Sequence, residues 1–162
     1  MEVGKDANSL NLKKLISIDK GIEMNFHYDG EEFFIPIKVE GYFQAINILC
    51  AAGLAIASGS PSDKVFATLK DLLPIIGRFE FCGYNKLNAK IYVDYAHTPD
   101  ALASALISLR NLTKGKIILI FGCGGSRDKY KRPIMGEIAK KYADIIIITC
   151  LLYTSDAADD TR

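Results

Sequence analysis

The sequence predicts an α/β protein built from two parts. Strand-type alternation fills residues 14–39, and helical patterns follow over 42–58 and 60–73. After Gly77 strands alternate with helices, which is typical of β-α-β units that form a parallel sheet. Pro74 and Gly77 interrupt the periodic pattern between the two parts. We therefore expect a domain boundary at this point.

The first part contains a hairpin followed by two helices. In "IEMNFHYDGEEFFIPIKV", the pair Asp29-Gly30 favours a two-residue hairpin turn between two alternating segments. The alanine-rich stretch "YFQAINILCAAGLAIAS" has a helical period and stops before Gly59. The stretch "SPSDKVFATLKDLL" predicts a second helix, with Ser60 or Ser62 as its capping residue.

The second part begins with a hairpin in "FEFCGYNKLNAKIYVDY" and continues with alternating helices and strands. The predicted elements are helix 99–111, strand 116–121, helix 131–142 and strand 144–149. Right-handed crossovers place the loops that follow the strands, 94–98 and 122–130, along one edge of the sheet. Ligands bind at this edge in parallel α/β sheets, so we expect the site there.

Composition indicates a soluble, globular protein. The 162 residues are 49% hydrophobic and 24% charged, with a net charge of +1. These values argue against disorder throughout and against a basic surface for nucleic acid. The longest apolar runs are far shorter than the roughly 20 residues that cross a bilayer. Because the start "MEVGKDANSLNLKK" has no signal-peptide core, we expect a cytoplasmic protein.

The cysteines give no support for a metal site. Cys50, Cys82, Cys123 and Cys150 are widely spaced and form no C-x-x-C pair. Only two histidines are present to complete a zinc site. We expect reduced thiols packed as small apolar groups, and no metal ligands.

The stretch "VDYAHTPDAL" carries more chemistry than a connector needs. Thr98 as the helix cap and Pro99 as the first helical residue account for the turn itself. They leave Asp94, Tyr95 and His97 unexplained at the ligand-binding edge. We therefore interpret these three side chains as candidates for ligand contact.

The second loop, "FGCGGSRDKYKRP", combines glycines with basic residues. The dinucleotide fingerprint G-x-G-x-x-G fails because Arg127 stands where the last glycine is needed. The four basic side chains are Arg127, Lys129, Lys131 and Arg132. Such a cluster suits a carboxylate or a phosphate, and a solvated basic loop explains it equally well.

Three motifs together resemble the carboxy-terminal half of a Mur ligase. They are "GRFE", "VDYAHTPDAL" and "FGCGGSRDKYKRPIMGEIA", in this order and spacing. Within this family the residues are most similar to the ligases that add the third amino acid of the peptidoglycan stem. The helix "GYFQAINILCAAGLA" is similar to the end of the family's central ATPase domain.

The resemblance implies a fold and a domain arrangement. Residues 1–76 would be the end of a mixed-sheet, ATP-binding central domain, and 77–149 a truncated Rossmann-like domain. Residues 150–162 match nothing in the family and would be a non-native tail. The chain would then be a fragment that is inactive alone and carries no catalytic residue, because the glycine-rich phosphate loop ending in G-K-[ST] is absent from its sequence.

The resemblance also implies an ADP-forming acid–amino-acid ligase that uses ATP and Mg²⁺. ATP would phosphorylate the terminal carboxylate of UDP-N-acetylmuramoyl-L-alanyl-D-glutamate to give an acyl phosphate. The amine of meso-diaminopimelate or L-lysine would attack it, and the family resemblance leaves this choice open. Charge neutralisation and positioning supply most of the rate in such transfers. The family further implies a monomer that binds neither nucleic acid nor membrane.

Carried over position by position, the resemblance assigns roles to single residues. Asn47 would read the adenine, Asp94 would accept hydrogen bonds from the ribose, and Arg78 would reach the phosphates. Tyr95 and His97 would line the same nucleotide. A separate role falls to Arg127, which would hold the carboxylate of the incoming amino acid. Gln44 and Ser126 depart from the family's usual asparagine and aspartate, and their roles stay open.

Two other interpretations compete with this one. The first is another amide ligase of the same superfamily, such as a folylpolyglutamate or cyanophycin synthetase. The motif "DYAHTPDAL" argues against this interpretation. The second is a nucleotide-binding module without catalytic activity, which the failed glycine fingerprint weakens.

Overall fold

A computed structural model describes residues 1–18, 21–123 and 128–149 of the chain. The chain divides into two compact units, Met1–Asp94 and Tyr95–Arg162, and each is described here by itself. Within the described ranges, no helix combines the length and apolar character needed to span a bilayer. The predicted tail, 150–162, lies outside the described residues.

The first unit contains a four-stranded sheet, two helices and a separate hairpin. In chain order its elements are β1 Val3–Gly4, β2 Leu10–Ile18, β3 Gly21–Tyr28, β4 Glu31–Ile37, α1 Tyr42–Ala57, α2 Ser62–Leu69, β5 Glu80–Tyr84 and β6 Lys90–Val93.

The sheet is mixed, as predicted. Strand β1 runs parallel to β2, whereas β2, β3 and β4 pair antiparallel in the order β1-β2-β3-β4. Asp29 and Gly30 have φ values of 50° and 82°, and they connect β3 to β4. Positive φ at both positions matches a type I′ hairpin turn, so the predicted turn is confirmed. The sequence pattern missed β1 and placed the start of β2 four residues too late, at 14 instead of Leu10.

One face of this sheet is covered by the two helices. Leu10, Met24 and Phe26 on the sheet and Leu49 on α1 are fully buried. The Phe26 ring stacks on Phe33 and meets Phe66 of α2 edge-on, with centroids 5.4 and 5.2 Å apart. Aromatic pairs at these separations add to the stability gained from apolar burial.

The two helices begin in different ways. Helix α1 starts after Gly41, which has a φ of 94°. Helix α2 is capped by Pro61, with no side-chain hydrogen bond at its start. The prediction that Ser60 or Ser62 caps α2 is therefore wrong. Pro61 fixes the extended backbone at this point, so the helix starts without a hydroxyl cap.

The β5–β6 hairpin belongs to the first compact unit and not to the parallel sheet that follows. Its strands pair antiparallel with each other, with Glu80 opposite Val93. The residue before β5, Phe79, packs edge-on against Phe43 of α1, and the two ring centroids are 5.4 Å apart. The compact units divide after the hairpin, between Asp94 and Tyr95. The domain boundary at Gly77 rests on the sequence pattern and stays a prediction.

The second unit is a small α/β layer. Its described elements are α3 Pro99–Leu112, β7 Ile118–Phe121, α4 Lys131–Tyr142 and β8 Ile145–Ile148. Strands β7 and β8 are parallel, with Ile118 opposite Ile145, so β7-α4-β8 is the predicted β-α-β unit. Its core consists of Leu102, Leu106, Ile117 and Met135.

A network around Arg110 and Asp144 joins the end of α3 to the starts of β7 and β8. The Asp144 carboxylate accepts hydrogen bonds from the Ile117 amide and from the Arg110 guanidinium, both at 2.7 Å. Arg110 also donates to the carbonyl of Tyr142 at 2.9 Å. The Ile117 amide, followed by Arg110, lowers the pKa of Asp144. Ionised Asp144 is thus favoured by the folded unit.

We expect Asp144→Asn to change how stability depends on pH. Because the pKa of Asp144 is lower in the folded state, its contribution is present above the ordinary aspartate range. This contribution to stability is lost as the pH falls through the lowered pKa of Asp144. The variant should therefore be less stable than the parent at pH 7, and the difference should shrink in acid. Thermal unfolding followed by circular dichroism between pH 7 and pH 3 measures this.

Asp71→Asn is the control, because it removes an exposed carboxylate of the first unit that takes no part in the hydrogen bonds of Asp144. It should leave the shape of the pH profile unchanged. A constant offset between Asp144→Asn and the parent across the whole pH range would contradict the role given to Asp144.

Candidate functional site

The predicted site residues lie in both compact units. Asn47 on α1, Arg78 before β5 and Asp94 after β6 belong to the first unit. Tyr95 and His97 belong to the second. The predicted carboxylate-binding residue, Arg127, lies outside the described residues, as does Ser126. The site is therefore described in two parts.

In the first unit, one peptide group connects the predicted residues. The carbonyl of Arg78 accepts a hydrogen bond from the Gln44 side-chain amide at 2.8 Å. The amide N–H of Phe79, on the other side of the same peptide, donates to Oδ2 of Asp94 at 2.7 Å. Both polar atoms of the Arg78–Phe79 peptide are thus bonded to side chains from distant parts of the chain.

Phe79 adopts an unusual backbone conformation at this point. Its φ is 51°, in the left-handed region that costs a residue with a side chain about 1–3 kcal/mol. The ring is buried, with 4% of the residue exposed. It stacks on Tyr92 of β6 with a centroid distance of 5.1 Å. The packing and the two hydrogen bonds offset the cost of the strained backbone.

Gly41 lets the Phe79 ring approach the start of α1. A Cβ at Gly41 would lie 3.2 Å from two carbons of the Phe79 ring, closer than ordinary van der Waals contact. Its positive φ, 94°, also disfavours any residue with a side chain. A glycine at this position therefore serves the packing of Phe79 as well as the turn.

A half-buried polar pair joins β6 to Glu40, the residue before Gly41. The Tyr92 hydroxyl donates a hydrogen bond to the Glu40 carboxylate, and the Lys90 ammonium lies 3.5 Å from the other Glu40 oxygen. Burial and the neighbouring Glu40 carboxylate raise the pKa of Tyr92. The phenol therefore stays protonated and acts as a donor at neutral pH.

The side chains predicted to contact a ligand remain accessible. Asn47 is exposed, and its amide nitrogen donates to Oε1 of Gln44 at 3.3 Å. Asp94 is half-buried and uses Oδ2 for the Phe79 amide. The other oxygens of Asn47 and Asp94 are acceptors. This arrangement can accept hydrogen bonds from an amine and from hydroxyl groups.

In the second unit, the start of α3 is capped as predicted. Oγ1 of Thr98 accepts a hydrogen bond from the Ala101 amide at 3.3 Å, and Pro99 is the first helical residue. His97 and Tyr95 are exposed, and their ring centroids lie 5.0 Å apart. Their rings are thus available for contact with a planar ligand.

Lys131, the first residue of α4, contacts the segment before α3. Its ammonium donates to the carbonyl of His97 at 3.0 Å. This contact places the first residue of α4 next to His97. The prediction that the 94–98 loop follows a strand of the same parallel sheet is wrong, because β6 pairs with β5 and does not join the described β7–β8 sheet. The basic cluster in the sequence gave no indication that Lys131 bonds to protein backbone.

Sequence reasoning missed several residues that hold the site together. They are Glu40, Phe79 and Tyr92, together with the role of Gln44. The only sequence signal for this packing was the glycine at position 41, immediately before α1. No local pattern marked the contacts between α1 and the hairpin.

Nothing in the described residues suggests a metal centre. Across 1–18, 21–123 and 128–149, no group of three or more histidine, cysteine or acidic side chains is placed to hold an ion. Cys50, Cys82 and Cys123 are free thiols, while Cys150 lies outside the described residues. The prediction that the thiols are packed as small apolar groups is wrong for Cys50 and Cys82, which are exposed.

Comparison with known proteins identifies the family. The family model "Mur ligase, glutamate ligase domain" matches residues 77–162. A UDP-N-acetylmuramoyl-L-alanyl-D-glutamate–2,6-diaminopimelate ligase of Agrobacterium fabrum is 46% identical over 91% of the chain and 30% of its own length. The ligase of the same name from Rhizobium meliloti is 43% identical over 91% of the chain and 30% of its own length.

Solved structures agree with this result. A 2,6-diaminopimelate ligase structure of the same name matches with 27% identity and a TM-score of 0.56, covering 89% of the chain and 29% of its own. The fold is also shared with the UDP-N-acetylmuramate-alanine ligase MurC of Thermotoga maritima, at 20% identity and a TM-score of 0.71, over 97% of the chain and 35% of its own.

These matches and the α/β fold identify the class of protein as an amide-ligase family. The chain belongs to the Mur ligase family. It spans about 30% of the length of the curated relatives that it matches.

We expect Thr98 to act through its helix and not as a ligand contact. Thr98→Ala should destabilise the second unit by about 0.5–2 kcal/mol, because the Ala101 amide loses its acceptor. Thr98→Ser keeps the hydroxyl and should retain most of the stability. Urea unfolding of the three proteins measures the difference. Equal stability of the alanine and serine variants would show that the cap has no energetic role.

Proposed function

We propose that this chain carries the nucleotide-contacting region of an ATP-dependent amide ligase. The enzyme would add an amino acid to UDP-N-acetylmuramoyl-L-alanyl-D-glutamate in peptidoglycan synthesis. The observation that carries the proposal is the hydrogen-bonded series Asn47–Gln44–Arg78–Phe79–Asp94 in a chain of this family. Residues 1–76 would belong to the central ATP-binding domain and 77–149 to the carboxy-terminal domain.

The acceptor oxygens of Asn47 and Asp94 in the first unit suit the adenosine part of ATP. Asn47 would contact the adenine, since an asparagine amide can pair with its amine and ring nitrogen. The Asp94 carboxylate would accept hydrogen bonds from the ribose hydroxyls. Arg78 would reach the phosphates, and the rings of Tyr95 and His97 would line the nucleotide.

The proposed reaction passes through an acyl phosphate. Transfer of the γ-phosphoryl group to the substrate carboxylate releases ADP and activates the carbonyl carbon. The amine of the incoming amino acid attacks this carbon, and the tetrahedral intermediate collapses with loss of phosphate and a proton. Positioning of the nucleotide is the contribution that the described residues can make.

Two relatives support diaminopimelate as the amino acid. Their names specify 2,6-diaminopimelate, and they are 46% and 43% identical to the chain. We propose meso-diaminopimelate in preference to L-lysine for this reason. The names of these relatives also favour this ligase over a folylpolyglutamate or cyanophycin synthetase and over a module without catalytic activity.

The proposal includes Mg²⁺ as a cofactor but names no residue that binds it. The family resemblance implies it for phosphoryl transfer, and no group of three or more histidine, cysteine or acidic side chains stands together in the described residues. We therefore assign no metal ligand in this chain. A cytoplasmic location and a monomeric state remain predictions of the same kind.

Nucleotide binding tests the proposal directly. We expect the 162-residue chain to bind ATP weakly without steady turnover, because its sequence lacks a glycine-rich phosphate loop. Asp94→Ala removes a charged acceptor, which typically costs about 1.5–3 kcal/mol, or roughly ten- to a hundredfold in affinity. Isothermal titration calorimetry measures the dissociation constant, and a coupled assay measures ADP release.

Asp71→Ala is the matched control, because it removes a carboxylate outside the proposed site. It should leave the affinity unchanged. If Asp94→Ala binds ATP as tightly as the parent, Asp94 does not contact the nucleotide. Sustained ADP production by the purified chain would refute the expectation of no turnover.

Arg127 provides a test of amino-acid binding in a full-length enzyme that carries this loop. Arg127→Ala should raise the Michaelis constant for the amino acid roughly ten- to a hundredfold and change that for ATP much less. Arg127→Lys should recover only part of the loss, because lysine keeps the charge but not the bidentate geometry. If both variants leave the Michaelis constant for the amino acid unchanged, Arg127 does not bind its carboxylate and Lys129 or Arg132 becomes the candidate.

A further inference from the structure

Gln44 occupies a position from which it contacts two parts of the proposed nucleotide site. Only 8% of the residue is exposed, so its amide is almost fully withdrawn from water. Its nitrogen donates to the Arg78 carbonyl at 2.8 Å, and its oxygen accepts from the Asn47 nitrogen at 3.3 Å. A buried amide is stable only when its donors and acceptors are satisfied.

The two bonds define the orientation of both amides. A carbonyl oxygen can only accept, so the atom of Gln44 that faces Arg78 must be the nitrogen. The oxygen of Gln44 then faces Asn47, which must present its own nitrogen. As a result, Oδ1 of Asn47 is the atom left to face solvent as an acceptor.

The same glutamine also completes the support of the Arg78–Phe79 peptide. Asp94 accepts from the nitrogen of this peptide, and Gln44 donates to its carbonyl oxygen. Rotation of the peptide would break both bonds at once. The position of the Asp94 carboxylate and the orientation of Asn47 therefore depend on one side chain.

We propose that Gln44 is a positioning residue for the nucleotide: it orients Asn47 to select an amino group on the base, and with Asp94 it holds the Arg78–Phe79 peptide. The inference rests on the proposed ATP binding. It assigns to Gln44 a role in base selection that is separate from a role in core packing.

Base selection follows from the exposed acceptor of Asn47. The amine of adenine can donate to Oδ1, whereas inosine presents a carbonyl oxygen at the same position and would face a second acceptor. One hydrogen bond of this kind contributes about 0.5–1.5 kcal/mol, which is roughly two- to tenfold in affinity. The parent chain should therefore prefer ATP over ITP by about this factor.

Two substitutions at Gln44 separate its two bonds. Gln44→Leu removes both, so the Asn47 amide is free to turn: its oxygen can accept from the amine of adenine, or its nitrogen can donate to the carbonyl of hypoxanthine. We expect weaker ATP binding and loss of the preference over ITP. Gln44→Glu keeps an acceptor for Asn47 but cannot donate to the Arg78 carbonyl. It should bind both nucleotides more weakly while keeping the preference for ATP.

The measurement is titration of each protein with ATP and with ITP by isothermal titration calorimetry. Asn25→Leu is the matched control, because Asn25 is another amide in the first unit, bonded to Glu32 at 2.8 Å and remote in sequence from Gln44. It should leave both affinities and their ratio unchanged. Circular dichroism of each variant checks that the secondary structure is retained.

The outcomes distinguish this inference from the proposed function. A parent chain that binds neither nucleotide overturns both. A parent that prefers ATP, with an unchanged ratio in Gln44→Leu, overturns the positioning role alone. If Gln44→Leu does not fold, Gln44→Glu decides: loss of the ATP preference in that folded variant would show that Gln44 does not orient Asn47.

Discussion

The peptide between Arg78 and Phe79 is the group on which the candidate site depends. The carbonyl of Arg78 accepts from Gln44, which lies 34 positions earlier in the chain. The N–H of Phe79 donates to Asp94, which lies 15 positions later. Both hydrogen bonds are partly buried, and a buried backbone atom without a partner costs free energy comparable to a lost hydrogen bond. The site is therefore built around backbone as well as around side chains.

The aromatic packing around Phe79 makes this arrangement possible. The buried ring lies against Phe43 and Tyr92, and Gly41 leaves room for it at the start of α1. Apolar burial and ring contacts are non-specific in direction, whereas the two hydrogen bonds define a single peptide orientation. Together they stabilise a left-handed backbone that local preferences disfavour.

The sequence predicted those features that depend on neighbouring residues. The Asp29-Gly30 turn, the Thr98 cap and the β7-α4-β8 unit each follow from a short pattern, and the structure confirms them. The start of α2 was wrong because a proline replaced the expected hydroxyl cap. The roles of Gln44 and Phe79 could not be predicted in this way, since they arise from contacts between segments far apart in the chain.

The same distinction between local patterns and contacts of distant segments applies to the candidate site. Motif resemblance selected Asn47, Arg78 and Asp94, and the structure connects these positions through Gln44 and the Phe79 amide. Resemblance could not supply this connection, because Gln44 departs from the residue usual at its position. Lys131 is a similar case: its charge suggested anion binding, whereas its ammonium bonds to the carbonyl of His97.

Amide hydrogen exchange at Phe79 tests the central claim most directly. If the peptide is held by Asp94 and covered by the aromatic rings, the Phe79 amide should exchange slowly, at a rate similar to paired amides of β3. Two-dimensional NMR of the labelled chain in deuterated buffer measures both sets of rates. Exchange of the Phe79 amide as fast as that of exposed loop amides would contradict the account.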